Sequence, residues 1–187
     1  MPLPVLSPSS KSRLLEQLPR EHLLRDLIAE HEQLLQRLDD LEALVEQLRT
    51  APADWIPAIA FRVRTIADYL LRAEPHHQRE EEVLFPAMER LGVMMPCLVM
   101  RHEHEQLRAL KRDLLDVASR PAADRDALAV PAATLVAELR AHIRKENEVL
   151  YPMAFSSITA APEWERMRAE AAKFGACCTA CACKSGG

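Results

Sequence analysis

His76-His77-Gln78-Arg79-Glu80-Glu81-Glu82-Val83-Leu84-Phe85-Pro86 is answered later in the chain by His142-Ile143-Arg144-Lys145-Glu146-Asn147-Glu148-Val149-Leu150-Tyr151-Pro152. Both stretches open on histidine, place glutamate four residues on, and close on an aromatic residue and a proline. An α-helix turns ~100° per residue, so residues four apart share one face. His76 therefore stands over Glu80, and His142 over Glu146. A shorter repeat precedes each stretch, Glu30-His31-Glu32-Gln33-Leu34 returning as Glu103-His104-Glu105-Gln106-Leu107. Two helical hairpins with the same polar kit predict an all-α fold, an antiparallel up-down-up-down four-helix bundle with pseudo-symmetry.

The apolar pattern around these motifs agrees. Leu24, Leu27, Ile28, Leu34, Leu35, Leu38, Leu41, Leu44, Val45 and Leu48 recur at steps of three and four, which predicts a helix from about Arg20 to Thr50 with His31 inside its apolar stripe. A second helix is expected from about Asp54 to Leu91, kinked just before His76 because Pro75 removes a hydrogen bond and clashes with the preceding turn. Gly92 to Pro96 reads as a loop, and a third helix runs to about Ser119 with His104 on its apolar side. After a turn at Pro121 to Asp124, a fourth runs to about Phe155, with an interruption expected near Pro131. The expected division is a flexible leader over 1–19, the bundle over 20–155, a short C-terminal helix within 156–175 and a flexible Cys-rich tail over 176–187.

Composition narrows the function classes. A chain of 187 residues with four Gly, 4% aromatic residues and a net charge of -4 has room for one ordinary core and no basic block for nucleic acid or a membrane surface. Neither partner is expected, and the sequence does not identify a protein partner. No stretch approaches the ~20 apolar residues of a membrane span. Five cysteines, four of them crowded into Cys177, Cys178, Cys181 and Cys183, do not make a secreted disulfide framework. A reducing, cytoplasmic location is the expectation.

The stripes that turn Leu70, Leu84, Leu139 and Leu150 inward also turn His76, Glu80, His142 and Glu146 inward, while His31 and His104 take core positions on the other two helices. Four imidazoles and two carboxylates in an apolar core are costly, because an unpaired buried carboxylate destabilises by several kcal/mol. A cation compensates. Nitrogen with carboxylate oxygen suits iron, manganese or zinc, and two bridging carboxylates are the usual way to hold a metal pair in a bundle. Open coordination positions point to reactivity rather than a purely structural site.

Read as a series, EH, then HxxxE running into LFP, then EH, then HxxxE running into LYP resembles the hemerythrin-like HHE cation-binding family over about residues 20–155. Four separated elements agree in type, order and spacing, whereas a lone HxxxE is weak. The resemblance implies two non-haem iron ions, with zinc or manganese as alternatives, held by His31, His76, Glu80, His104, His142 and Glu146. It implies a module that binds or senses dioxygen, nitric oxide or iron. The alternative is a di-iron enzyme or iron donor, oxidising ferrous iron or repairing iron-sulfur clusters. Oxygen-carrying hemerythrins place a further His one turn before the helix-three ligand, where this chain has Met100; His102 lies ~200° away from His104.

The remaining polar residues have plainer readings. His77 is expected ~100° from His76, toward an edge of the bundle, with a substitute-ligand role open, and His22 is expected at the surface. Glu81, Glu82 and Glu148 read as solvated charges, and Tyr69 and Tyr151 as packing aromatics. The tail thiols divide evenly between an inert tail and a role in soft-metal or redox handling.

Overall fold

The computed structural model describes residues 9–121 and 124–175, and every regular element among them is helical. Four long helical runs make a helical bundle. α1 (Ser10–Gln17) leads into α2 (Leu23–Thr50); α3 (Ile56–Arg72), α4 (Glu74–Arg79) and α5 (Phe85–Arg90) form the second run; α6 (Met94–Ala118) is the third; α7 (Arg125–Lys145) and α8 (Tyr151–Ser157) form the fourth. A short α9 (Ala161–Ala171) follows. α2 packs on α3 and α7, and α6 packs on the same two, so the four runs close around one core.

Periodicity explains the packing. On α2 the buried stripe runs Leu27, His31, Leu34, Leu38, Leu41, Leu44, Leu48, and on α6 it runs Met100, His104, Leu107, Lys111, Leu114, Ala118. Both advance by steps of three and four, the spacing that keeps one helical seam inside. Each fully buried leucine contributes about 1.5–3 kcal/mol. The apolar residues form two clusters, one from Leu34 through Ala73, Leu107 and Ile143, the other from Ile28 through Val83, Met100 and Leu150. Along every long run the change of cluster falls at the His/Glu motif, so a polar layer divides the core.

Prolines shape the runs. The second run breaks at Ala73, and Pro75 sits in the first turn of the new helix. That is the kink expected before His76. Pro86 and Pro152 have no N–H to return to the preceding turn, and just before each the helix widens into a π turn, Glu80–Leu84 and Glu146–Leu150. Phe85 N–H then reaches back five residues to Glu80, and Tyr151 N–H to Glu146. A π turn puts residues five apart on one face, so Phe85 joins Glu80, and Tyr151 joins Glu146.

Three expectations are corrected. The interruption at Pro131 does not occur: α7 passes through it, held by buried Leu128, Ala132 and Leu135 on either side. The leader is not loose throughout, because Ser9 accepts the Ser12 N–H as an N-cap and α1 buries Leu14, with Leu18 just beyond it. The third helix begins at Met94, since Pro96 falls in the first turn, where its missing N–H costs nothing. Gly92, at φ 85°, makes the turn before it. Gly175, at φ 76°, ends the C-terminal helical segment, and the cysteine tail lies outside the described residues.

Candidate metal centre

The polar layer brings together all six side chains singled out in the sequence: His31, His76, Glu80, His104, His142 and Glu146, each at most 2% exposed. Each imidazole turns Nδ1 outward to an acceptor. His31 Nδ1 lies 2.9 Å from Asn147 Oδ1, His76 Nδ1 2.9 Å from Glu30 Oε2, His104 Nδ1 2.7 Å from Glu81 Oε1, and His142 Nδ1 2.9 Å from Glu103 Oε2. Carboxylate and amide carbonyl oxygens accept here, so each Nδ1 carries a proton and each Nε2 is the ring atom left for the interior. All four Nε2 atoms therefore face inward.

They converge with the glutamates. His31 Nε2 and His76 Nε2 are 2.9 Å apart, with Glu146 Oε2 3.1 Å from the former. Glu146 Oε1 lies 3.0 Å from His142 Nε2 and 3.5 Å from His104 Nε2, so its two oxygens face opposite halves of the layer. Glu80 Oε2 is 3.5 Å from both His76 Nε2 and His104 Nε2. Yet Glu80 Oε2, both Glu146 oxygens, His104 Nε2 and His142 Nε2 are buried and make no aligned hydrogen bond. Lewis-base atoms about 3 Å apart that point at common centres rather than at one another are costly alone. Cations at those centres relieve the cost, so the donor set fits bound metal.

Without a cation the electrostatics are strained. Burial and the Glu146 carboxylate push Glu80 well above the usual carboxylate range. Burial opposes charge on His142, but Glu146 and Glu103 hold it up to about 9. Glu81 is held down to about 2: burial works to raise it, and His104 and Arg108 outweigh that.

Four groups need revised readings. His77 is not at an edge: it is 3% exposed, stacks on His104 at 3.9 Å between ring centroids, and brings a ring nitrogen within 4.8 Å of nitrogens of His104 and His142. The wider turn that follows and the break at Ala73 rotate this helix enough to bury two adjacent histidines. Tyr151 is fully buried, stacks on His31, and its hydroxyl donates to Glu80 Oε1 at 2.7 Å. Glu81 is a hydrogen-bonded partner of His104 and Arg108 rather than a solvated charge. His22 is buried against Trp164 and Phe155, far along α2 from the centre, and caps that helix through Nδ1. Glu30 and Arg79, bonded to each other at 2.6 Å, complete the setting of His76.

The two halves differ. One holds His31, His76 and Glu146 beside Tyr151; the other holds His77, His104 and His142, with Glu80 and Glu146 between them. A surface groove of about 440 Å³ lined by Glu103, Gln106, Leu107, Glu138 and His142 leads to the three-histidine half. A larger cleft beside His22 and Trp164 is remote from the centre and has no part in it. The profile of the hemerythrin HHE cation binding domain matches residues 22–154. No curated protein matches the chain.

Proposed function

The chain belongs to the hemerythrin HHE cation-binding domain family, and from that premise we propose a four-helix, up-down-up-down module that holds two iron ions and uses them to bind or sense dioxygen or nitric oxide. The observation that carries this reading is the inward convergence of four imidazole Nε2 atoms on two buried carboxylates, in two halves that share Glu80 and Glu146. His31 and His76 would hold one ion, His77, His104 and His142 the other, and Glu80 and Glu146 would bridge them. Bound iron would supply reversible one-electron chemistry and positions for a diatomic ligand. Zinc or manganese suits the same donors, and supply in the cell decides between them.

The protein's own part is to set and shield that chemistry. Glu30, Glu81, Glu103 and Asn147 fix each ring's tautomer and orientation. The apolar clusters on both sides of the layer exclude water from it. Arg79 and Arg108 balance the carboxylates behind His76 and His104.

The rival reading, an iron-oxidising enzyme or iron donor for cluster repair, rests on the missing fifth histidine of the third run and on the Cys-rich tail. His77 places an imidazole beside His104 and His142, which answers the first motive, and the tail lies outside the described residues. Among the described residues no helix is long and apolar enough to cross a membrane. A cytoplasmic setting is part of the proposal and rests on the cysteine pattern.

The test is anaerobic loading with ferrous salt, metal analysis, and then exposure to dioxygen or nitric oxide. Two irons per chain and a visible charge-transfer band that appears on exposure are expected. A chain that takes up no iron, or takes it up and stays optically silent toward both gases, contradicts the proposal.

A further inference from the structure

The internal repeat puts two pairs of residues at equivalent stations. His77 corresponds to Ile143, one residue after the leading histidine, and Phe85 corresponds to Tyr151, five residues after the glutamate. The structure keeps the equivalence. Phe85 lies with its ring 5.8 Å from His104 at 20°, and Tyr151 with its ring 5.5 Å from His31 at 6°. Chemistry breaks it. The half that gains the His77 imidazole has only a phenyl ring at the second station, while the half that has Ile143 in place of an imidazole gains the Tyr151 hydroxyl.

That hydroxyl stands where a ligand stands. Two donor atoms each ~2.1 Å from one ion and at right angles are ~3.0 Å apart. His31 Nε2 meets that spacing with His76 Nε2 at 2.9 Å and with Glu146 Oε2 at 3.1 Å. Tyr151 Oη is 3.4 Å from His31 Nε2 and 2.7 Å from Glu80 Oε1, on either side of the same value. A purely structural tyrosine needs only one hydrogen-bond partner at its tip, and Glu80 alone would satisfy it. The π turn Glu146–Leu150 aims the ring, because residues five apart share its face.

We infer that Tyr151 is an eighth protein ligand of the centre, coordinating through its phenolate oxygen the ferric ion held by His31 and His76; this rests on the iron-binding reading above. Ligation exchanges the O–H bond for an oxygen–iron bond, the electron pair stays on oxygen, and the proton leaves to buffer. Nothing is oxidised or reduced in that step. The anionic oxygen favours the trivalent over the divalent ion on charge alone, and in that half it takes the place that an imidazole takes in the other.

Resonance Raman spectroscopy of the full chain tests this. The protein is loaded anaerobically with ferrous salt, its iron counted, then oxidised in air and excited in the visible. The chain has two tyrosines, Tyr69 and Tyr151, and Tyr69 lies beneath the Arg37 guanidinium, away from the layer. Phenolate ring modes and a visible band are expected in the unaltered chain and in Tyr69→Phe, and their complete loss in Tyr151→Phe at an unchanged iron content. Iron uptake without phenolate modes in the unaltered chain, or modes that persist in Tyr151→Phe, overturns the assignment while leaving the proposed function intact. A chain that binds no iron overturns both.

Discussion

The His77 ring lies flat on the His104 ring, 3.9 Å between centroids and 9° from parallel, so two imidazoles from different helices enter the same half of the layer. Met100 occupies the station one turn before His104 and is itself buried. A histidine at position 100, one turn before His104 on the same helix, would share its face. His77→Ala is expected to lower the affinity of one of two bound ions by roughly 10²-fold, reducing measured iron from two per chain to about one at limiting metal, with the fold intact by circular dichroism. Adding Met100→His to that variant is expected to recover the second ion. Unchanged iron content in His77→Ala refutes the ligand role.

Most of the centre was legible in the sequence because its cues are local. His76 with Glu80 and His142 with Glu146 are one helical turn apart, and a four-residue spacing holds wherever the helix forms. The apolar stripes of α2 and α6 placed His31 and His104 by the same arithmetic. What was not legible depends on departures from the regular helix. A uniform 100° step sends His77 to the edge and gives Tyr151 no relation to Glu146; the break at Ala73 and the two π turns overrule it. The prolines at 86 and 152 were the available signal, since each withholds an N–H six residues after a candidate ligand glutamate. His22 was misread for another reason: α9, which covers it with Trp164, is distant in sequence and has no periodic link to it.

The outward carboxylates make a graded prediction. Glu81 accepts from His104 Nδ1 at 2.7 Å and from Arg108 at 3.0 Å, which fixes the ring that presents Nε2 to the centre. Removal of such an outer partner usually costs 10–100-fold in metal affinity. Glu81→Ala should fall in that range, of order 10–100-fold by chelator competition, and Glu81→Gln, which keeps an acceptor without its charge, between it and the unaltered chain. Equal affinities in all three would show that His104 needs no such support.

His22 predicts a pH dependence of folding apart from the metal. Burial, with Arg25 nearby, lowers it to about 4 from the usual 6.5. The folded chain then binds fewer protons than the unfolded chain between those values, so stability is full above about 6.5 and declines as pH falls toward 4. Allowing for the open cleft beside it, the loss is about 2 kcal/mol. His22→Ser keeps an N-cap oxygen for Leu24 N–H and removes the titrating ring, and it should flatten this part of the stability curve in urea melts of metal-free protein. An unchanged slope would mean that another group sets it.

Glu80 decides how much of the stability belongs to the metal. In the metal-free chain, burial and the neighbouring Glu146 carboxylate push Glu80 well above the usual carboxylate range, toward its neutral form, with the Tyr151 hydroxyl donating to Oε1. A glutamine is neutral and close to the acid in shape, so it carries none of the cost of a buried charge, and Glu80→Gln should leave the metal-free melting temperature level or raise it by a few degrees. With metal the sign reverses. An ion present at ~1,000 times its dissociation constant stabilises by about 4 kcal/mol, roughly 8–16 °C for a chain of this size, and that gain depends on the bridging carboxylate. Glu80→Gln should lose most of it. Calorimetry of both proteins, chelated and iron-loaded, separates the terms: a variant less stable without metal by as much as with it would show that Glu80 holds the bundle together by packing, not by neutralising cations.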